Sequence, residues 1–281
     1  MDQLRVWSVY FSATGTTEKI VKKIGQYLSQ EEGCEGQIFD FTLPENRKKP
    51  LTFQPKDLVI FGTPVYAGRV PNVLLPYLNT LEGGGALAVP VVLFGNRDYD
   101  DGLIELRNIL EDRGFHTIGG GAFVGEHSFS RILAAGRPDE QDLEKAETFA
   151  RQIHQKISQA KKEGNFPESL IAQGPAPVKG QTPIRPYYQP RDRQGNPIDI
   201  RKVKPKTSEE CIDCGLCAQV CPMGSIDKMD VRAWTGICIK CGSCIKKCPM
   251  GAKYYDDQGY LYHQHELELG YTRRAEPEWF L

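Results

Sequence analysis

The chain has 281 residues, and at about 150 residues per domain this length predicts two domains. Hydrophobic residues make up 40% and charged residues 25% of the chain, and the net charge is −1, which is typical of an ordinary soluble globular protein. No apolar run approaches the roughly 20 residues that a membrane-spanning helix needs. The first ten residues also lack the basic start, apolar core and cleavage site of a signal peptide. We therefore expect neither a membrane span nor a secreted protein.

The chain opens with a short apolar strand, predicted over residues 4–11, and a helix whose apolar residues recur at helical spacing from Ile20 to Leu28. The turn between them is Ser12-Ala13-Thr14-Gly15-Thr16-Thr17. A hydroxyl-rich turn between a strand and a helix N-terminus favours an anion site. The turn lacks the lysine of a P-loop and the glycine pattern of a dinucleotide site. It suits a terminal phosphate, with a ligand-free Ser/Thr cap as the alternative.

Further strands are predicted at residues 37–41, 57–62, 88–94 and 118–124. Two of them end in loops, 63–71 and 95–102, that each carry a tyrosine, Tyr66 and Tyr99. Ligands of parallel α/β sheets bind at the carboxyl ends of the strands, so these loops are candidate ligand contacts. The alternative for each tyrosine is a plain surface position. His127 follows the last strand, where it lies either near the ligand or in a solvated loop. A final helix is expected from the N-cap Asp139 to about Lys162.

This alternation of strands and helices predicts an α/β fold with a right-handed, doubly wound parallel sheet of five strands over residues 1–162. Residues 163–207 contain eight prolines and few periodic apolar residues, so we interpret them as a Pro-rich linker. Tyr187 and Tyr188 within it lead us to expect that part of this segment packs along a domain. Cys34 is most simply a small buried residue.

Eight of the nine cysteines lie between residues 211 and 248 and follow the spacing C-x2-C-x2-C-x3-C-P twice. This spacing provides ligands for [4Fe–4S] clusters, with the fourth cysteine of each run directed at the other cluster. Zinc ribbons and disulfides are the alternatives, and neither matches the spacing. No C-x3-C-x2-C run is present, which argues against a radical S-adenosylmethionine protein. The two predicted ligand sets are Cys211, Cys214, Cys217 and Cys248, and Cys221, Cys238, Cys241 and Cys244.

The cysteine block resembles the bacterial-type ferredoxins with two [4Fe–4S] clusters, which implies a small α+β domain at residues 208–256 and a C-terminal tail at 257–281. The first 162 residues resemble the flavodoxins, which bind flavin mononucleotide (FMN). Together they resemble fusions of a flavodoxin-like domain with a two-cluster ferredoxin, and the resemblance covers nearly the whole chain. It implies FMN and two [4Fe–4S] clusters as cofactors.

The flavodoxin resemblance also implies a set of FMN contacts. Contacts with the phosphate fall on Ser12, Ala13, Thr14, Gly15, Thr16 and Thr17. Contacts with the ring fall on Thr63, Pro64, Val65, Tyr66, Ala67, Gly68, Gly95, Asn96, Tyr99 and Asp101. No separate catalytic residue is predicted.

The main functional hypothesis is an electron-transfer protein that connects one-electron traffic through the clusters to the flavin. A flavin-dependent reductase of a quinone, nitro compound or other small oxidant is the alternative. A redox sensor is a third hypothesis, but the sequence has no recognisable output domain for it.

Cluster ligands must stay reduced, so we expect the protein to lie in the cytoplasm of an anaerobe. We expect a redox protein as partner and leave a homodimer open. We interpret the basic residues before the cysteines as compensation for the negative charge of the clusters rather than as a nucleic-acid site. We interpret His263 and His265 as part of a solvated tail rather than as a metal site.

Overall fold

The computed structural model describes residues 4–281. Its N-terminal half alternates strands with helices, as predicted. The strands are β1 Arg5–Tyr10, β2 Gln37–Asp40, β3 Asp57–Pro64, β4 Leu87–Phe94, β5 His116–Thr117 and β6 Gly120–Val124. The helices are α1 Thr16–Glu31, α2 Leu75–Leu78, α3 Gly102–Asp112 and α4 Glu140–Lys162. Parallel pairing in the order β2-β1-β3-β4-β6, with β5 also paired to β4, confirms the doubly wound α/β sheet.

Both faces of this sheet are covered by apolar side chains. Helices α1 and α4 cover one face, where Ile24, Leu28 and Ile153 are completely buried. Helices α2 and α3 cover the other. Burial of each such side chain contributes about 1.5–3 kcal/mol. A Cβ at Gly62 of β3 would lie 2.3 Å from Val21 Cγ2, so the glycine lets α1 pack directly on the strand.

The part of the chain after α4 has short helices and strands and little other regular structure. Its elements are α5 Glu168–Ile171, β7 Lys206–Thr207, α6 Leu216–Gln219, α7 Ser243–Lys246, β8 Lys253–Tyr254, α8 Gln258–Gly270 and β9 Glu278–Phe280. Strands β7 and β8 form a separate antiparallel pair. The eight clustered cysteines lie between these two strands in sequence. No helix among residues 4–281 is both long and apolar enough to cross a membrane.

The tail and the Pro-rich segment both pack on the N-terminal domain. Strand β9 pairs antiparallel with β6, and the two-residue strand β5 precedes the expected fifth strand, so the sheet has seven strands instead of five. Trp279 stacks on Phe123, 6.5 Å between ring centroids. In the Pro-rich segment, the Tyr187 hydroxyl donates to the Val70 carbonyl at 2.8 Å. The segment is therefore an ordered strap along the flavodoxin-like domain, as its tyrosines suggested.

Candidate functional site

The hydroxyl-rich turn presents free donors at the carboxyl edge of the sheet. Gly15 has a φ of +92° and is the N-cap of α1. The Ser12 hydroxyl accepts the Glu18 N–H at 3.0 Å, so it stabilises the turn from inside. The Thr14 and Thr16 hydroxyls and the N–H groups of residues 13–15 have no partner among residues 4–281. Ala13, Thr14, Thr16 and Thr17 line a small pocket with Pro64 and Gly125. Such a donor set, at the positive end of a helix dipole, fits a phosphate.

A second, larger cavity of about 650 Å³ continues from this pocket. Val65, Tyr66, Gly95, His127 and Ser128 line both spaces. The loops 65–68, 95–98 and 127–129 form one side of the cavity, the cysteine loop 237–240 forms another, and the strap at 187–190 and 198–201 forms the outer wall. A size within the usual 300–1,000 Å³ and aromatic walls fit a flat heteroaromatic ring. The phosphate pocket and the cavity together therefore fit FMN.

Tyr66 connects the cavity to the cysteine block. Its ring lines the cavity, and burial raises the pKa of Tyr66 well above its usual value. The cysteine loop 237–240 lines the same cavity, so a ring bound against Tyr66 would lie close to that loop.

His127 forms part of the cavity wall in its neutral form. A Cβ at Gly95 would lie 2.4 Å from His127 Cδ2, so the glycine makes room for the imidazole. Burial, followed by the positive charges of Lys246 and Arg97, lowers the pKa of His127 to about 3. Nδ1 accepts the Phe129 N–H at 3.1 Å, which assigns the proton to Nε2. His127 therefore offers one N–H donor at this wall.

The clustered cysteines surround two small cavities. One is bounded by Cys211, Cys214, Cys217 and Cys248, and the other by Cys221, Cys238, Cys241 and Cys244. Each run turns at a glycine, Gly215 or Gly242, with a φ of +74°. No group of three or more His, Cys, Asp or Glu side chains within residues 4–281 is placed to hold a single metal ion. Four thiols around an apolar space are the donor set that suits a cubane cluster.

The two cysteine sites differ in their surroundings. The site with Cys238, which we call the inner site, borders the large cavity through Cys238 and Lys240. The site with Cys214, the outer site, faces solvent, since Cys214 is exposed beside the exposed Ile212 and Met250. Lys246 fixes the inner side to the flavodoxin-like domain, since its ammonium donates to Glu126 at 2.5 Å and to the His127 carbonyl at 2.6 Å.

Several residues that the resemblance assigned to the ring do not line either cavity. Asn96 donates to the Tyr271 and Arg273 carbonyls, both at 2.7 Å. The Tyr99 hydroxyl bonds Glu278 of β9. Asp101 is completely buried and accepts from Arg185 of the strap, and the Thr63 hydroxyl is buried without a partner within residues 4–281. Three of these four side chains therefore hold the strap and the tail.

Other residues line the cavity without having been predicted to do so. They are Arg97 and Asp98 in the loop after β4, Tyr187 and Tyr188 in the strap, and Ile237, Ile239 and Lys240 around the inner site. The guanidinium of Arg97 lies over the Tyr188 ring, 4.8 Å from its centroid. The paired tyrosines in a Pro-rich segment were the only local signal for this outer wall. Of the two tail histidines, His263 borders the cavity, and burial lowers its pKa to about 4.

A parallel α/β sheet with a phosphate pocket, a ring-sized cavity and two four-cysteine sites defines an iron–sulfur flavoprotein. Comparison with known families agrees. A model described as "Flavodoxin domain" matches residues 8–84, and two described as "4Fe-4S binding domain" match residues 205–227 and 235–251. The chain thus contains a flavodoxin domain followed by two ferredoxin-type 4Fe-4S domains. Its cofactors are FMN and two [4Fe–4S] clusters, and it is a protein of electron transfer.

Solved structures similar to this chain include several flavodoxins. A flavodoxin from the domain Archaea is 13% identical, with 55% of this chain and 99% of that chain covered and a TM-score of 0.39. The flavodoxin of Streptococcus pneumonia TIGR4 is 21% identical, with 54% and 99% covered and a TM-score of 0.38. A Fusobacterium nucleatum flavodoxin mutant bound to flavin mononucleotide is 17% identical, with 54% and 95% covered and a TM-score of 0.37. No curated protein matches the chain.

Proposed function

We propose that this protein passes electrons between its two clusters and FMN, and so couples one-electron to two-electron redox chemistry. One observation carries the proposal: Cys238 of the inner site lines the same cavity as Tyr66 and Gly95 of the flavodoxin loops. The shared cavity brings a ring bound there next to a cluster ligand. FMN can exchange one or two electrons, whereas each cluster normally exchanges one.

The chain's own residues bind and orient the cofactors. Thr14, Thr16 and the N–H groups of residues 13–15 would hold the phosphate. Tyr66 and neutral His127 would position the ring, and His127 would donate a hydrogen bond from Nε2. Ile237 and Ile239 line the cavity on the side of the inner site.

The exposure of the two cysteine sites suggests the route. The outer site is open to solvent at Cys214, which suits exchange with an external redox protein. The inner site borders the flavin cavity through Cys238, whereas no cysteine of the outer site lines that cavity. The proposal retains the expected ligand sets and the expected bounds: residues 1–162 for the FMN-binding domain, 163–207 for the Pro-rich segment, 208–256 for the two-cluster domain and 257–281 for the tail.

Anaerobic purification followed by analysis of iron, sulfide and FMN tests the proposal. We expect about eight irons and one FMN per chain. Cys214→Ser should deplete mainly the outer cluster and Cys241→Ser mainly the inner one. Iron below about six per chain, or no FMN, would contradict the proposed function. Equal loss of both clusters in each variant would contradict the ligand sets alone.

A reductase of a small oxidant is the second candidate, and the cavity's outer wall favours it. Tyr187 and Tyr188 enclose space beyond the flavodoxin loops, where a quinone or nitro compound would approach the ring. Anaerobic turnover of such oxidants with reduced ferredoxin as donor distinguishes the two functions. Turnover that Tyr188→Ala abolishes, with FMN content unchanged, would favour the reductase.

A further inference from the structure

The wall of the phosphate pocket contains a carboxylate that would oppose the ligand. Of the described residues that line this pocket, Glu126 alone carries a charge at neutral pH. A terminal phosphate carries about two negative charges at pH 7, and like charges repel most where little water separates them. An unpaired Glu126 would therefore weaken phosphate binding, so the pocket needs a positive group from outside its own wall.

Lys246 supplies that positive group. Its ammonium donates to the Glu126 carboxylate at 2.5 Å and to the His127 carbonyl at 2.6 Å. The Lys246 side chain is 11% exposed and that of Glu126 is 25% exposed, so water screens this pair less than it screens a surface pair. Arg131 is exposed and donates instead to the Ile245 carbonyl at 2.9 Å. Lys246 is therefore the cation that neutralises Glu126.

The two cysteine sites fix the position of Lys246. It is the last residue of α7, a helix of only four residues whose N-cap is Gly242. Cys244 of the inner site lies within this helix, and Cys248 of the outer site follows Lys246 by two residues. A helix this short is not stable by itself. The positive charge at the phosphate pocket thus comes from the domain that carries the clusters and is held there by their ligands.

We propose that Lys246 completes the phosphate site of FMN: it neutralises Glu126 and so lets the pocket accept a phosphate. The hydroxyls of Thr14 and Thr16 provide hydrogen bonds, and Lys246 provides the positive charge that the turn 12–17 lacks. The pocket therefore selects FMN over riboflavin, which has the same ring without the phosphate. This inference rests on the proposed function, in which the FMN phosphate lies in this pocket.

Equilibrium dialysis of the anaerobic holoprotein against mixtures of FMN and riboflavin measures the preference for FMN as the ratio of the two dissociation constants. Lys246→Met should lower this preference about tenfold, because Glu126 is then unpaired. Lys246→Arg keeps the charge and should keep the preference. Adding Glu126→Gln to Lys246→Met should restore the preference. Lys247→Met, at the exposed neighbour, is the matched control and should leave it unchanged.

A purely structural role of Lys246 would affect both flavins alike. Equal weakening of FMN and riboflavin binding in Lys246→Met, or an unchanged preference, would therefore overturn the inference. Glu126→Gln alone provides a second test if Lys246→Met does not retain its clusters. This variant frees the ammonium for the phosphate and should raise the preference for FMN, and an unchanged preference would again overturn the inference.

Iron and flavin contents, measured on every sample, separate this inference from the proposed function. A chain that binds no FMN contradicts the proposed function itself. A chain that holds FMN and both clusters, but shows the same preference in all variants, contradicts only the role of Lys246.

Discussion

Gly242, next to a cysteine of the inner site, packs against the carbonyl oxygen of Ser128 in the loop 127–129. A Cβ at Gly242 would lie only 2.5 Å from that oxygen. The glycine follows Cys241, and Ser128 lines both the phosphate pocket and the large cavity. Backbone therefore meets backbone at this point, and the separation between the cofactor sites depends on the absence of one side chain.

Gly242→Ala should separate the inner site from the flavin cavity. Gly215→Ala is the matched control, because Gly215 has the same φ of +74° but its added Cβ would lie 3.8 Å from the nearest atom, Gln219 Nε2. Both variants carry the left-handed strain of about 1–2 kcal/mol. Only Gly242→Ala adds a clash, so it should lose about 1–3 kcal/mol more in chemical unfolding and slow electron transfer from cluster to flavin in flash-reduction experiments. Equal behaviour of the two variants would argue against a contact that controls transfer.

Asn96→Gly should weaken the attachment of the tail without weakening FMN binding. Asn96 is 2% exposed and bonds the backbone of Tyr271, Arg273 and Ala275. Glycine tolerates its φ of +67°, so the variant removes hydrogen bonds without adding strain. Loss of these buried partners should cost about 1–3 kcal/mol of unfolding free energy and make residues 271–281 more susceptible to protease. A weaker FMN affinity would instead support the ring contact that the flavodoxin resemblance implies for Asn96.

The features of the fold and the site that could be predicted are those with a local signal in the sequence. Strand and helix periodicity and cysteine spacing are local patterns, so the α/β fold and both cofactor types were predicted and confirmed. The roles of Asn96 and Tyr99 depend on partners about 175–180 positions away in the sequence. Such contacts leave no periodic pattern in the sequence. Strand β9 has only three residues, too few to show the alternation of a strand.

Replacing Thr14 and Thr16 together with valine should weaken FMN binding. Their hydroxyls line the phosphate pocket without protein partners, and hydrogen bonds to a charged group are worth about 1.5–3 kcal/mol each. We therefore expect the Kd to rise at least tenfold, about 1.4 kcal/mol, in fluorescence titration, with iron content unchanged. Thr148→Val on the exposed face of α4 is the control. An unchanged Kd for the double variant would place the phosphate elsewhere.

The histidine in the cavity wall should make the protein less stable as the pH falls. The pKa of His127, lowered to about 3, is below that of the unfolded chain, about 6.5, so the unfolded state binds the additional proton between these values. Its stabilising contribution is complete above about pH 6.5 and decreases at lower pH by about 1.4 kcal/mol per unit. Urea unfolding at pH 7, 6 and 5 measures this slope. His127→Gln should reduce this slope by about 1.4 kcal/mol per pH unit. A variant that keeps the original slope would show that His127 titrates normally.

Replacing Lys246, whose ammonium joins the two domains, should destabilise the chain and disturb electron transfer to the flavin. Lys246 has an 11% exposed side chain and Glu126 a 25% exposed one. Lys246→Met leaves Glu126 with its bond from the Gly136 N–H but without its counter-ion, which should cost about 3 kcal/mol in unfolding. Adding Glu126→Gln should recover part of this loss, because the unpaired charge is then gone. Lys247→Met, on the exposed neighbour, should have no effect. If the single and double variants lose the same stability, the pair contributes through packing rather than through charge.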